Sequence, residues 1–278
     1  MRTSQARRGR LPPPPLLDLE IFSIRQINEL PPEQMFQVCR YLVPLQVLLR
    51  FGIDPQTLAD DEGRPLVEFQ PASTSIELFL RHVWDANDPV LYLQLADTTN
   101  NQIEVVLFVV NDPHSERFNT DHLPDGTPTH FGTLRRNIEE EVRAMEAGLA
   151  PGQVRRGLSV TRGLMPVLEQ FVAGLHHDVF FMQPLAYHNA ILFERLGFSY
   201  MLGLGRMEWL HKEFAPGGLL SRRLDGSTPF RCAAAATSVR GRSWAIHDGI
   251  TGEPYGGVKM YKRVGIHAGV VTFPQAAW

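Results

Sequence analysis

Histidine directly precedes aspartate twice in this chain, at His176-His177-Asp178 and at His247-Asp248, and such pairs can hold metals or move protons. The first pair sits where an amphipathic helix should end, so imidazolium capping at the helix dipole accounts for it better than metal binding. The second closes Ser243-Trp244-Ala245-Ile246, which reads as a short apolar strand, and Gly249 follows it. Side chains at strand ends commonly line sites, so His247 and Asp248 form a candidate hydrolase centre, with a polar turn as the alternative. A His-Asp phosphohydrolase needs further His and Asp ligands in helical context, and none is found. Asn189 offers an amide that both donates and accepts, or else a helix cap or Asx turn. Tyr187, two residues earlier, offers a phenol. Glu104 has the chemistry of a base but fits an edge or turn carboxylate better.

These groups need elements to hold them. Met35, Val38, Leu42, Leu45 and Leu49 predict a helix over 31–51, kinked or split at Pro44. Ile76, Phe79, Leu80 and Val83 predict a second helix from Thr74 to about Trp84. Val90–Asp97 and Ile103–Asn111 flank the polar turn Thr98-Thr99-Asn100-Asn101 and predict an antiparallel hairpin. Its second run is apolar throughout, as expected of a central strand buried on both faces. Residues 112 to 132 read as loop. A helix is expected from Leu134 to Ala147 with Thr133 as N-cap and a solvated acidic face at Glu139 to Glu141. Leu164, Val167, Leu168, Phe171, Val172 and Leu175 give the clearest helical stripe in the chain. Asp178 to Met182 reads as a strand, and Tyr187 to Leu196 as a helix that Gly197 stops before Phe198 opens another strand. Beyond Leu210 lie breaker-rich stretches, then strands expected over 258–264 and 270–273.

The 278 residues are 44% hydrophobic, enough for a full core in a soluble globular protein. A formal charge of -3 gives no global basic field for nucleic acid or anionic membrane. Cys39 and Cys232 make no zinc spacing, and a reduced intracellular compartment is the default expectation. No run approaches the roughly 18 apolar residues of a spanning helix, and the Arg-rich start lacks the apolar core of a signal peptide. Residues 1–18, rich in arginine and proline, read as a flexible arm.

Taken together, residues 103 to 198 run buried strand, inserted loop and helix, Arg-Arg-Gly turn, amphipathic helix, strand, short helix, Gly-Phe. Over about Val90 to Leu204 the chain resembles the GNAT superfamily of N-acetyltransferases. In that family a Gln/Arg-x-x-Gly-x-Gly/Ala turn offers backbone N–H groups and a helix start to the coenzyme A pyrophosphate. Val154-Arg155-Arg156-Gly157-Leu158-Ser159 occupies that slot, with Val154 and Ser159 departing from the pattern at its ends. Pro166 falls within the following helix, which implies a late start or a kink. The resemblance makes Arg155, Arg156, Gly157, Leu158, Ser159, Asn189 and Phe193 the cofactor-binding set. It points to Asn189 for the acyl or pantetheine side. Phe193 lies where many members carry a proton-donating tyrosine, so catalysis needs another acid or is lost; Tyr187, close to Asn189 in sequence, is the candidate, with core or surface packing as its alternative.

The expected architecture is α/β (α+β), a mixed, mostly antiparallel twisted sheet flanked by helices. Its parts would be the arm 1–18, an acyltransferase-like domain 19–210 with a helical insertion at 113–152, and an extension 211–278 completing or covering the sheet. The expected activity is acyl transfer from acetyl-CoA or another acyl-CoA to an amine of a small-molecule substrate. Two rival readings stand beside it: an inactive ligand-sensing or interaction module of the same fold, and a hydrolase at His247-Asp248. A cytoplasmic protein is expected, with no metal and with neither nucleic acid nor membrane as partner; a homodimer is allowed.

Overall fold

The computed structural model describes residues 20–130, 132, 135–158, 160–275 and 277–278. The arm 1–18, Thr133, Leu134 and Ser159 lie outside the described residues. In chain order the helices and strands are α1 (Ile24–Asn28), α2 (Pro32–Cys39), α3 (Leu45–Arg50), β1 (Val67–Pro71), β2 (Ser75–Leu80), β3 (Leu91–Asp97), β4 (Ile103–Val110) and α4 (Ile138–Glu146). They continue as α5 (Thr161–Gly174), β5 (Val179–Met182), α6 (Tyr187–Arg195), β6 (Ser199–Leu202), α7 (Leu204–Glu213), α8 (Leu219–Arg222), α9 (Val239–His247) and β7 (Lys259–Arg263). Helices thus accompany mostly antiparallel strands, a mixed α/β architecture. The chain divides into two compact units, each discontinuous in sequence.

The first unit comprises the described part of Met1–Pro113, Gly157–Phe181 and Arg263–Gly265. Its strands follow the order β1-β2-β3-β4-β5, and β1 to β4 are an antiparallel meander. The expected hairpin is β3–β4, pairing Leu91 with Val110 and Asp97 with Ile103 around a shift at Gln94/Leu95. β4 is central, but Val106 is 43% exposed, so its second face is not closed along its length. Asp97 at the end of β3 receives the Ile24 and Arg25 N–H groups at 2.8 and 2.9 Å, anchoring the first turn of α1. Pro44 does split the predicted helix: α2 gives way to a 3-10 turn, and Pro44 becomes the N-cap of α3.

The helix expected over 74–84 is instead strand β2. Ile76, Leu78 and Leu80 are buried and alternate with half-exposed Glu77 and Phe79, which is a period of two. Ile76 and Leu80 also satisfy helical spacing, so this short run was ambiguous by periodicity. Pairing on both edges, with β1 and β3, decides it. On the other face Phe79 packs edge-on against Tyr92 at 4.9 Å, and the Tyr92 hydroxyl donates to Glu77 at 2.9 Å. Helix α5 starts at Thr161, ahead of Pro166, and runs through it with the ring on an exposed position. Leu164, Leu168, Phe171, Val172 and Leu175 form its buried stripe as expected.

The second unit comprises His114–Arg156, Met182–Lys262 and Ile266–Trp278. Strands β6 and β7 pair antiparallel within it. A local core gathers Phe118, Ala144, Leu149, Phe230 and Trp244, with the Trp244 indole donating to the Leu149 carbonyl at 2.8 Å. Helix α4 begins later than expected, at Ile138, because the Asn137 side chain caps it by accepting from Glu140 N–H. The apolar strand expected over 243–246 is the interior of α9, capped by Ser238 and flanked by tightly packed backbone at Gly241. No strand forms over 270–273.

Candidate functional site

Helix α6 carries three of the residues the sequence singled out, and its C-terminus explains why it stops where it does. Gly197 N–H donates to the Glu194 carbonyl at 2.9 Å and Phe198 N–H to the Phe193 carbonyl at 3.0 Å, the paired bonds of a Schellman cap. Gly197 takes φ +86, and the rings of Phe193 and Phe198 meet at 5.4 Å across the cap. Phe193 is therefore a buried capping contact. Asn189 is half-buried in the first turn, its N–H bonded to the Ala186 carbonyl at 3.1 Å. Tyr187 opens the helix and is 1% exposed.

The Tyr187 hydroxyl is sealed from water and meets no group at hydrogen-bonding geometry, although the Arg242 guanidinium is near enough to act on it. Burial raises the phenol's pKa, with Arg242 opposing and Glu194 reinforcing, so it keeps its proton at neutral pH. Arg242 is itself buried. Its Nε donates to the Ala236 carbonyl at 2.7 Å, an Nη lies 3.2 Å from His211 Nδ1, and Phe273 stacks over the guanidinium at 3.6 Å. Burial lowers its pKa while Tyr187 opposes. The buried Glu194 carboxylate is occupied elsewhere, accepting from Tyr200 Oη at 2.6 Å, Thr272 N at 2.9 Å and Thr272 Oγ1 at 2.6 Å.

The next residue, His188, lies against Ser243 of α9. The Ser243 hydroxyl accepts from His188 N–H at 3.4 Å and sits 2.9 Å from the imidazole Nδ1. This supplies the N-terminal partner that Ala186, the N-cap residue, cannot. Burial first, then the charges of Arg240 and His247, bring the His188 pKa down to about 3. A neutral imidazole accepts the serine proton, so the pair is a helix-to-helix clasp inside the unit.

The turn residues separate. Arg155 and Arg156 belong to the second unit, Gly157 and Leu158 to the first. Arg155 donates to the Ser115 carbonyl, while Arg156 N–H donates to Ser115 Oγ and its Nη2 to the Ala147 carbonyl, both at 3.2 Å. Gly157 is exposed and Leu158 buried.

His247 and Asp248 end α9 in a charge network. Arg136 reaches Glu141 at 2.6 Å and Asp248 at 2.9 Å, Arg231 reaches Asp248 at 2.8 Å, and Thr228 Oγ1 donates to Asp248 at 2.8 Å. His247 Nε2 lies 3.3 Å from Glu141 Oε1. Glu141 is thus buried and paired, not part of a solvated face. Burial works to raise its pKa, but the His247 and Arg136 bonds hold the carboxyl below its ordinary value. Among the described residues no group of three or more His, Cys, Asp and Glu side chains is placed to hold a metal ion. His177 Nε2 meets the Phe22 carbonyl at 2.8 Å in the first unit.

Comparison with protein-family models, with curated proteins and with solved structures returned no match to this chain. No helix among the described residues is long and apolar enough to cross a membrane. Arg242, Glu194 and the His188–Ser243 clasp escaped the sequence reading. Their only signal, arginines flanking Gly241, looked like a loop until α9 packed against α6.

Proposed function

We propose that this chain is an acyl-CoA N-acyltransferase-like protein, binding acetyl-CoA or another acyl-CoA and passing the acyl group to an amine of a small-molecule substrate. The carrying observation is the succession of elements around the turn: central strand β4, the Arg-Arg-Gly turn, α5 starting at Thr161, β5, α6 closed at Gly197, then β6. A helix start directly behind a glycine turn is suited to a pyrophosphate. On that resemblance Arg155 and Arg156 would meet the phosphates, with Asn189 and Phe193, in the same unit, toward the pantetheine.

A neutral amine would attack the thioester carbonyl, the carbon–nitrogen bond forming as the carbon–sulfur bond breaks. The departing thiolate takes the proton that Tyr187 holds on a hydroxyl no protein acceptor occupies, and the nitrogen, cationic after attack, returns its own proton to the tyrosinate, leaving a neutral amide and a free thiol. The same residue favours a second reading. With the Tyr187 phenol 1% exposed and a phenyl ring at Phe193, ligand binding without turnover is the alternative.

A thermal-shift titration with CoA and acetyl-CoA, run beside a thiol-release assay with an amine panel, separates the readings. Saturating ligand should raise the midpoint by roughly 5 °C or more through mass action. Thiol release supports the enzyme and a shift without release the binding module. No shift at millimolar ligand refutes both.

A further inference from the structure

His211 in the last turn of α7 and Arg242 in α9 meet at 3.2 Å, Arg242 Nη1 against His211 Nδ1. A guanidinium has no lone pair to offer, so its N–H donates and Nδ1 accepts. The contact therefore requires a neutral imidazole with its proton on Nε2. Phe273 completes the group, its ring centre 3.6 Å from the Arg242 guanidinium carbon and 5.3 Å from the centre of the His211 ring. The Ile266–Trp278 segment is thereby pinned between α7 and α9. On either side of that point Thr272 donates to Glu194 of α6 through its N–H and hydroxyl, and the Ala277 carbonyl accepts from Val239 N–H of α9 at 2.8 Å. Arg242 is buried, and among the described residues it meets no carboxylate at ion-pair distance. Behind it stand the Tyr187 phenol, which keeps its proton, and Glu194, occupied by Tyr200 and Thr272. On α7 itself Glu208 and Lys212 are exposed and Glu213 accepts from Leu219 N–H, while Arg222 of α8 donates to the Gly217 carbonyl. Burial, and after it the Arg242 charge, holds the His211 pKa below its ordinary value.

We propose that His211 is a pH-sensitive latch: a proton taken up from water at Nδ1 sets N–H against N–H and cation against cation at Arg242, and frees Phe273 and the Ile266–Trp278 segment from α7 and α9. The folded state takes up that proton less readily than the unfolded chain does. The latch is therefore fully closed above the unfolded value of about 6.5 and weakens as pH falls through the lower, folded one. It needs no ligand and is independent of the acyl-CoA reading.

Hydrogen exchange of the full chain at about pH 7.5 and about pH 5, corrected for the intrinsic rate, tests it at two amides that hold the segment, Thr272 on Glu194 and Val239 on Ala277. In the wild type both should lose protection ~10-fold or more at the lower pH, as a charge-assisted hydrogen bond turns into a repulsion. His211→Asn keeps an acceptor near the Nδ1 position and cannot take up the proton, so its protection should be the same at both values. Wild-type protection that does not change between the two overturns the latch. So does a folded His211→Asn protein that loosens on acidification as the wild type does, which would assign the effect to Glu194 or another carboxylate. Should that variant not fold, NMR of the wild-type imidazole decides. A neutral ring with its proton on Nδ1, or a titration midpoint at or above about 6.5, overturns the proposal.

Discussion

Replacing Arg136 by methionine should destabilise the second unit severely, because one side chain neutralises two carboxylates there. Glu141 and Asp248 have side chains 3% and 9% exposed, and Arg136 meets them at 2.6 and 2.9 Å. Methionine keeps the apolar stem against Phe230, whose ring centre lies 5.0 Å from the guanidinium, and removes the charge. Asp248 retains Arg231 and Thr228, while among the described residues Glu141 retains His247 alone. Breaking a buried pair from one side costs about 3–5 kcal/mol, and the charge retained on Asp248 places the expected loss at the lower end, ~3 kcal/mol. Against a total of about 5–15 kcal/mol this is a large fraction. Urea unfolding at pH 7, followed by Trp fluorescence, reads it through the midpoint at constant slope. The pH dependence supplies an independent sign. Both carboxyls are held below their ordinary values, so their contribution is full above the unfolded pKa of about 4 and fades as pH falls through the folded values. The gap between wild type and variant should therefore narrow below about pH 4. A loss under ~1 kcal/mol at pH 7, or a gap unchanged on acidification, would refute the reasoning.

Gly197→Ala should cost about 1–3 kcal/mol, since φ is +86 and an added Cβ would lie 2.8–2.9 Å from His267 atoms, backbone included; a wild-type melting temperature would contradict it. Cys39 is buried and its thiol pushed up to about 12 by desolvation, while Cys232 is exposed. An aromatic disulfide reagent at pH 8 should thus modify one thiol of the native chain quickly and the second only in denaturant, and two fast equivalents would sink this assignment. Tyr187→Phe removes a hydroxyl that makes no well-formed hydrogen bond, Arg242 keeps its Ala236 and His211 contacts, and stability should change little. If the chain releases thiol, the same variant should lose ~10²-fold in turnover with CoA affinity kept; unaltered turnover would remove Tyr187 as the acid.

What the chain declares by itself is local. The Val90–Asp97 and Ile103–Asn111 runs specify the β3–β4 hairpin because strand-forming residues flank a polar turn. Pro44 and Gly197 act through their own backbone restrictions, which no distant contact must supply. Leu164 to Leu175 announce α5 because twelve residues sample three turns of one face. Residues 75–80 did not announce β2, since six residues satisfy either period and only β1 and β3 settle the choice. Residues 243–246 looked like a strand for the same reason, until Ser238 capped a helix there. Charge was less legible still. Glu141 resembled its neighbours in sequence, exposed Glu139 and half-buried Glu140, and its burial comes with Arg136 and with His247, 106 residues away. Tyr187, Asn189 and Phe193 were found from a single helical motif. The Arg242 beside Tyr187 and the Ser243 beneath His188 were decided by the packing of α9 on α6, because a side chain's neighbours across helices depend on where the helices meet.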